Sequence, residues 1–182
     1  RLLPYRETLR LMTAELDRAN ALITDYISLH KHRLSDRQPR SLNAIIEAVL
    51  PRIRQDAAGR VVRLDLGDIP PLPLDDAEIG RLVLNLARNG LEAMAPGQAL
   101  TLRTFCRPDG VALAVEDEGG EIPPAVLENL GVPFFTTKET GAGLGLAMCY
   151  SIANRHRARI EVATGPAGTT FTVLFPPGGR TA

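Results

Sequence analysis

The chain has 182 residues, 45% of them hydrophobic, enough to bury one core and leave room for a second small unit. Lys plus Arg equals Asp plus Glu at 21 each, so no net field draws the protein as a whole to nucleic acid or to an anionic membrane, and any phosphate binding has to be local. No apolar run approaches the roughly 20 residues that cross a bilayer and no signal-peptide pattern opens the chain, which predicts a cytoplasmic fragment with no nucleic-acid or membrane contact of its own. The start at Arg1, without a Met, points to a piece of something longer, with a sensor or membrane part left out. Cys106 and Cys149 lack CxxC spacing and read as buried free thiols in a reducing compartment.

From Leu2 the seam positions Leu2, Tyr5, Leu9, Met12, Leu16, Ala19, Ile23, Tyr26 and His30 alternate steps of three and four, the pattern of a coiled-coil or bundle helix. Leu11, Leu22, Ile27 and Leu29 broaden the stripe to the width a four-helix bundle uses. One helix cannot bury its own stripe, so residues 1–34 need a partner, and self-association into a homodimer is the cheapest source. Breakers over 35–40 mark a linker. Ser41 then caps a helix that turns Leu42, Ile45, Ile46, Val49, Leu50 and Ile53 inward. Val61–Leu66 alternates as a strand and the Pro-rich run 69–73 ends it. Asp75 or Asp76 starts an apolar helix to about Met94, with Leu82, Val83, Leu86, Ala87 and Leu91 inward, and Pro96-Gly97 stops it. Strands at 100–106 and 111–116 flank an Asp109-Gly110 hairpin turn. Gly-rich loops fill 117–145, a helix covers 144–155, and strands at 159–164 and 169–175 close the unit. Segregated helices and strands predict an α+β two-layer α/β sandwich, with helices on one face of a mixed sheet, over residues 41–177 and a tail at 178–182.

Asn85 and Asn89, four apart, stack their amides on one helix face while neighbouring leucines point to the core. A nucleotide-bound magnesium ion keeps waters and phosphate oxygens and needs only one or two protein ligands, which an Asn carbonyl can supply; two Asn on a wet helix face is the plainer reading. Asp117-Glu118-Gly119-Gly120 follows an apolar strand, delivering a carboxylate that suits the exocyclic amine of adenine, or simply a strand-ending turn. Residues 141–146, Gly-Ala-Gly-Leu-Gly-Leu, run straight into an apolar helix whose N-terminus favours phosphate. The Lys-Ser/Thr of a P-loop is missing, the strand that precedes a Rossmann fingerprint is replaced by 133–138, and no His-Arg-Asp loop marks a Ser/Thr/Tyr protein kinase.

The order Asn-x-x-x-Asn, Asp-x-Gly, Pro-Phe-Phe-Thr-Thr-Lys, Gly-x-Gly-Leu-Gly-Leu and Gly-Thr-Thr resembles the N, G1, F, G2 and G3 boxes of the histidine-kinase ATP-binding domain, shared with gyrase, heat-shock ATPases and mismatch-repair proteins. The resemblance covers residues 40–177 and implies a Bergerat-type ATP-binding fold. It implies ATP and Mg2+ as cofactors, Asn89 on the magnesium ion, Asp117 on adenine, and Lys138 with the 141–145 loop as a lid over the phosphates. It extends the nucleotide site to Asn85, Gly119, Gly141, Gly143, Leu144, Gly145, Leu146 and Thr169, the last near the adenine end. The N-terminal helix resembles the second helix of the dimerisation and phosphoacceptor hairpin, most like kinases of a sporulation-type phosphorelay. That implies a response-regulator or receiver partner and, at the bundle, room for a protein inhibitor. In the family the phosphorylated His lies on the preceding helix in a His-Glu-x-x-Asn-Pro context, absent here, so His30, His32 and His156 are not expected to accept phosphate. His30 is expected to pack at the bundle end and His156 to close a helix where positive charge is favoured.

Three departures stand out. Glu121 replaces a glycine and Ala142 a frequent Thr, which predicts modest ATP affinity, and Gly80 sits inside a helix at a cost of about 1 kcal/mol. Arg88 can reach a phosphate or serve as a solvated helix charge. Hydrolytic relatives carry a Glu four residues before the magnesium Asn; here Asn85 stands there and cannot take a proton, which predicts binding without efficient hydrolysis. Two functions follow: the catalytic core of a histidine kinase acting on a histidine upstream, or a nucleotide-binding interaction module without phosphotransfer of its own.

Overall fold

The computed structural model describes residues 37–137 and 143–177, together with Met12. The expected bundle helix at 1–34 with His30 and His32, the lid residues Lys138, Gly141 and Ala142, and the tail at 178–182 lie outside the described residues. In chain order the elements are β1 (Gln38–Arg40), α1 (Leu42–Asp56), β2 (Val61–Leu66), β3 (Leu72–Leu74), α2 (Asp76–Ala93), β4 (Ala99–Arg107) and β5 (Gly110–Asp117). They continue with α3 (Pro124–Leu127), α4 (Gly145–Arg155), β6 (Arg159–Gly165) and β7 (Gly168–Phe175).

The caps are local chemistry. Ser41 Oγ accepts the N–H of Ala44 at 3.2 Å to open α1, and Asp75 Oδ1 accepts those of Ala77 and Glu78 at 3.0 Å to open α2. Both helices bury the apolar stripe their sequences carry, and α2 packs between α1 and α4. The sheet runs β2-β4-β5-β7-β6, parallel between β2 and β4 and antiparallel elsewhere, a mixed sheet as expected. On β5 the odd residues Val111, Leu113 and Val115 join the core shared with the helices, while Ala112 and Ala114 lie on the opposite side. Gly80 has a reason: a Cβ there would lie 3.3 Å from Val49 Cγ1, so the glycine lets α1 and α2 approach.

Part of the stretch read as linker is a strand. β1 pairs antiparallel with β3, inside the run read as a turn, with Pro39 opposite Pro73. Facing prolines fit an antiparallel pair because neither residue of a non-hydrogen-bonded pair needs an N–H. α3 occupies four residues of the stretch read as loop, with Pro124 in its first turn. The cysteines divide: Cys149 is buried, its thiol pushed up to about 12 by burial, whereas Cys106 is exposed, contrary to expectation. Cys106 lies one residue before the end of β4, opposite Val111, with its thiol 3.8 Å from Asp68 O.

Candidate nucleotide site

The period of a strand sets the site. Asp117 continues the inward face of Val111, Leu113 and Val115, and so enters the helix layer at the end of the core stripe. Strand register places Leu100, Asp117, Thr169 and Thr164 in one row across β4, β5, β7 and β6. Asp117 is 5% exposed. Its Oδ1 accepts the N–H of Gly119 at 2.9 Å, an Asp-Gly turn that lifts the chain off the sheet. Burial pushes the Asp117 carboxyl above its ordinary range, and the backbone N–H groups of Gly119 and Thr169 pull it back.

Three glycines allow neighbouring segments to approach Asp117 more closely than a Cβ would permit. A Cβ at Gly90 of α2 would sit 2.7 Å from Leu100 Cδ1 and 3.2 Å from Asp117 Cβ. One at Gly119 would sit 2.8 Å from both Ala93 O and Asp117 Oδ1, and one at Gly168, where φ is +131°, would overlap the Asp117 carbonyl. Thr169 is buried, its hydroxyl 2.8 Å from that of Thr164, which accepts the N–H of Ile122 at 2.9 Å. The two hydroxyls thereby hold the loop beyond Gly120 against the sheet end.

Asn85 and Asn89 are both half-buried on α2. Asn85 Nδ2 donates to Gly145 O at 3.4 Å and lies 3.7 Å from Met148 Sδ, so α2 and the start of α4 meet there. α4 has no side-chain cap, unlike α1 and α2, and its Leu144 is buried while Leu146 packs partly into the core. These two leucines therefore offer backbone rather than side chains. Gly143, at φ +68°, presses on the backbone of Phe134, whose N–H donates to Gly143 O at 3.0 Å. The Phe-Phe segment and the glycine loop are in contact.

Arg88 turns away from this face, its Nη2 3.7 Å from Asp56 Oδ2, and lines a cleft of about 310 Å3 with Arg60, Leu91 and Glu92. His156 does end α4, but as a neutral ring. Its Nε2 accepts the N–H of Asp75 at 3.1 Å and its Nδ1 bonds Ile152 O at 2.9 Å, leaving one ring proton, and burial lowers its pKa. The favourable positive charge expected there yields to desolvation. Glu121 is exposed. Sequence reasoning passed over Gly90 and Thr164. The only signal for Gly90 was its adjacency to Asn89, and Thr164 became visible only through strand register.

A family model described as "Histidine kinase-, DNA gyrase B-, and HSP90-like ATPase" matches residues 74–179, more than half of the chain. The chain belongs to this family. AtoS, a signal transduction histidine-protein kinase of Escherichia coli (strain K12), is 31% identical over 94% of this chain and 29% of its own length. Sporulation kinase E of Bacillus subtilis (strain 168) is 29% identical over 94% of this chain and 24% of its own. The structure of the mycobacterial sensor histidine kinase MprB superposes with a TM-score of 0.69 at 25% identity, over 79% of this chain and all of that one. The chain spans less than a third of the length of either curated relative. It carries the ATPase domain of that family, in the α+β fold with a mixed sheet that the sequence implied.

Proposed function

We propose that this core binds magnesium-ATP and delivers its γ-phosphoryl group to a histidine on a helical bundle upstream of the chain, from which a response regulator or phosphorelay receiver takes it. The bundle side of the reading includes a homodimer through residues 1–34 and a place there for a protein inhibitor. The observation that carries it is Asp117, a buried carboxylate with acceptor capacity left over, at the end of a polar row and walled by glycines. Its free oxygen lone pairs accept the amine of adenine, with the Thr169 hydroxyl alongside. Asn85 faces the uncapped start of α4, and Asn89, one turn further along α2, shares the phosphate side with it. The backbone N–H groups of 143–146 take phosphate oxygens, and Lys138 and Gly141 complete the lid.

A neutral Asn carbonyl fits a metal that arrives already ligated by phosphates, and among the described residues no three His, Cys, Asp or Glu side chains converge to hold one unaided. Magnesium, when bound, neutralises charge on the phosphate oxygens. The protein's contribution is positioning and preorganised N–H groups. Asn85 cannot accept a proton, so water is not activated and the phosphoryl group is kept for its acceptor.

A ligand present at a hundred times its Kd stabilises the folded state by about 2.7 kcal/mol, so thermal shift reads the site directly. Asp117→Asn and Asn89→Ala are expected to abolish the ATP-dependent shift while leaving the apo transition near its original temperature; unchanged shifts in both refute the assignment. Labelled ATP is then offered to this chain and to an N-terminally extended one. Label on the extended chain alone supports phosphotransfer upstream. If both bind ATP and neither labels, the reading that stands is a nucleotide-binding interaction module. Rapid magnesium-dependent ATP turnover by this chain would contradict the role given to Asn85.

A further inference from the structure

The antiparallel ladder between β4 and β5 ends in an unusual exchange. Ala99 and Glu118 would form the next pair beyond Leu100 and Asp117. The Glu118 N–H does donate to Ala99 O, at 3.3 Å. The return bond is missing and two side chains replace it. Glu118 Oε2 accepts the N–H of Ala99 at 2.9 Å, and the Gln98 side-chain amide donates to Glu118 O. Gln98 Oε1 in turn accepts the N–H of Ala95 at 2.6 Å, just past the end of α2.

We infer that Gln98 and Glu118 are positioning residues that set the spacing between the two halves of the nucleotide site, the Asn89 helix and the Asp117 carboxylate. Gln98 spans from the residue after the α2 cap to the residue after Asp117. The missing return bond has a direct consequence here: if the Ala99 N–H donated to Glu118 O, the ladder would continue and residue 119 would stay in the plane of the sheet. The exchange turns the chain instead, bringing the Gly119 N–H onto Asp117 Oδ1 and leaving Oδ2 on the side of Gly90. Arg63, 3.7 Å from Glu118 Oε1, is well exposed and adds little. Both amide functions of Gln98 are used, so Glu at that position would lose the donor and place a charge against a carbonyl.

This inference rests on the proposed role of Asp117 as the acceptor for the adenine amine. The test compares the affinity of the chain for ATP and for purine riboside triphosphate, which lacks the 6-amino group. Gln98→Ala and Glu118→Ala are each expected to weaken ATP binding about fivefold, the scale of one or two partly exposed hydrogen bonds, and to leave purine riboside triphosphate unchanged. Glu118→Gln, whose amide oxygen still accepts from Ala99, is expected to bind ATP as the parent chain does, and Gln98→Glu to behave like Gln98→Ala. Equal loss for both nucleotides, or no loss for either, overturns the inference. Asp117→Asn measured beside them separates the layers: if it erases the preference for ATP and the Gln98 and Glu118 variants do not, only the positioning role falls. If Asp117→Asn keeps the preference, the adenine reading falls and this inference with it.

Discussion

Among the described residues one carboxylate and one imidazole are buried, Asp117 at the end of the sheet and His156 at the junction of α2 and α4, and they are buried in opposite ways. His156 spends both ring nitrogens on its own chain, on Asp75 N–H and Ile152 O; beside it Glu78 pairs with Arg155 through Oε1 at 2.8 Å, while Glu78 Oε2, 3.7 Å from His156 Nδ1, is buried without a hydrogen bond. Asp117 takes backbone N–H groups with part of its capacity, and beside Leu100 and Thr169 it is approached by the glycines Gly90 and Gly119. Burial alone does not mark a functional group. The contrast proposed is between a ring saturated by its own chain and a carboxylate that keeps acceptor capacity where glycines admit close approach, and the following outcomes test it.

The largest expected effect is on the histidine side. His156→Ala leaves the Asp75 N–H and Ile152 carbonyl without the ring and opens a cavity, and should destabilise the chain by about 2–4 kcal/mol in denaturant unfolding. ATP affinity of the folded fraction should stay unchanged; a matching loss of affinity would erase the distinction between the two regions. Next comes Gly90→Ala, whose new methyl has to displace Leu100 and press on Asp117. Calorimetry should show ATP binding weakened about tenfold, a loss of about 1.4 kcal/mol, and full retention would mean that the close approach of α2 to Asp117 does not matter for binding.

Acid separates the two groups by sign. Asp117 takes up its proton in the folded chain above the ordinary aspartate value of 3.8, so apo stability does not fall as pH drops through that raised range, whereas ATP affinity does, because the carboxylate is lost as an acceptor. The His156 pKa is lowered from its ordinary 6.5, so its contribution to stability is present above 6.5 and drains away as pH falls below it toward the folded value. Thermal unfolding between pH 7 and 5 should therefore show a slope that His156→Gln removes and Asp117→Asn keeps. The smallest effect belongs to Gly80→Ala. Helix propensity favours Ala by up to about 1 kcal/mol, and the 3.3 Å contact with a half-buried Val49 methyl takes part of it back. A net gain of a few tenths of a kcal/mol is expected, and a clear loss would show that the approach of α1 to α2 cannot yield.

Local chemistry was legible because it needs no partner far away. Ser41 and Asp75 cap the helices that their positions announce, the turn read over 107–110 closes the β4–β5 hairpin through Pro108 and Asp109, and the order of five short motifs leads to the family that residues 74–179 match. β1 and β3 were not legible: each is three residues with a central proline, and neither carries strand periodicity until the two prolines face each other.

What the sequence by itself determined was the list of elements and the spacing of Asn85, Asn89, Asp117 and the glycine loop, because periodicity, caps and turns act within a few residues. Only the tertiary structure decided which groups face each other. Strand register put Thr164 beside Thr169, helix packing brought Gly90 against Asp117, and desolvation made His156 a neutral strut instead of a helix-end charge. These outcomes depend on contacts between residues tens of positions apart, and on the loss of water when the layers close, which no local pattern encodes.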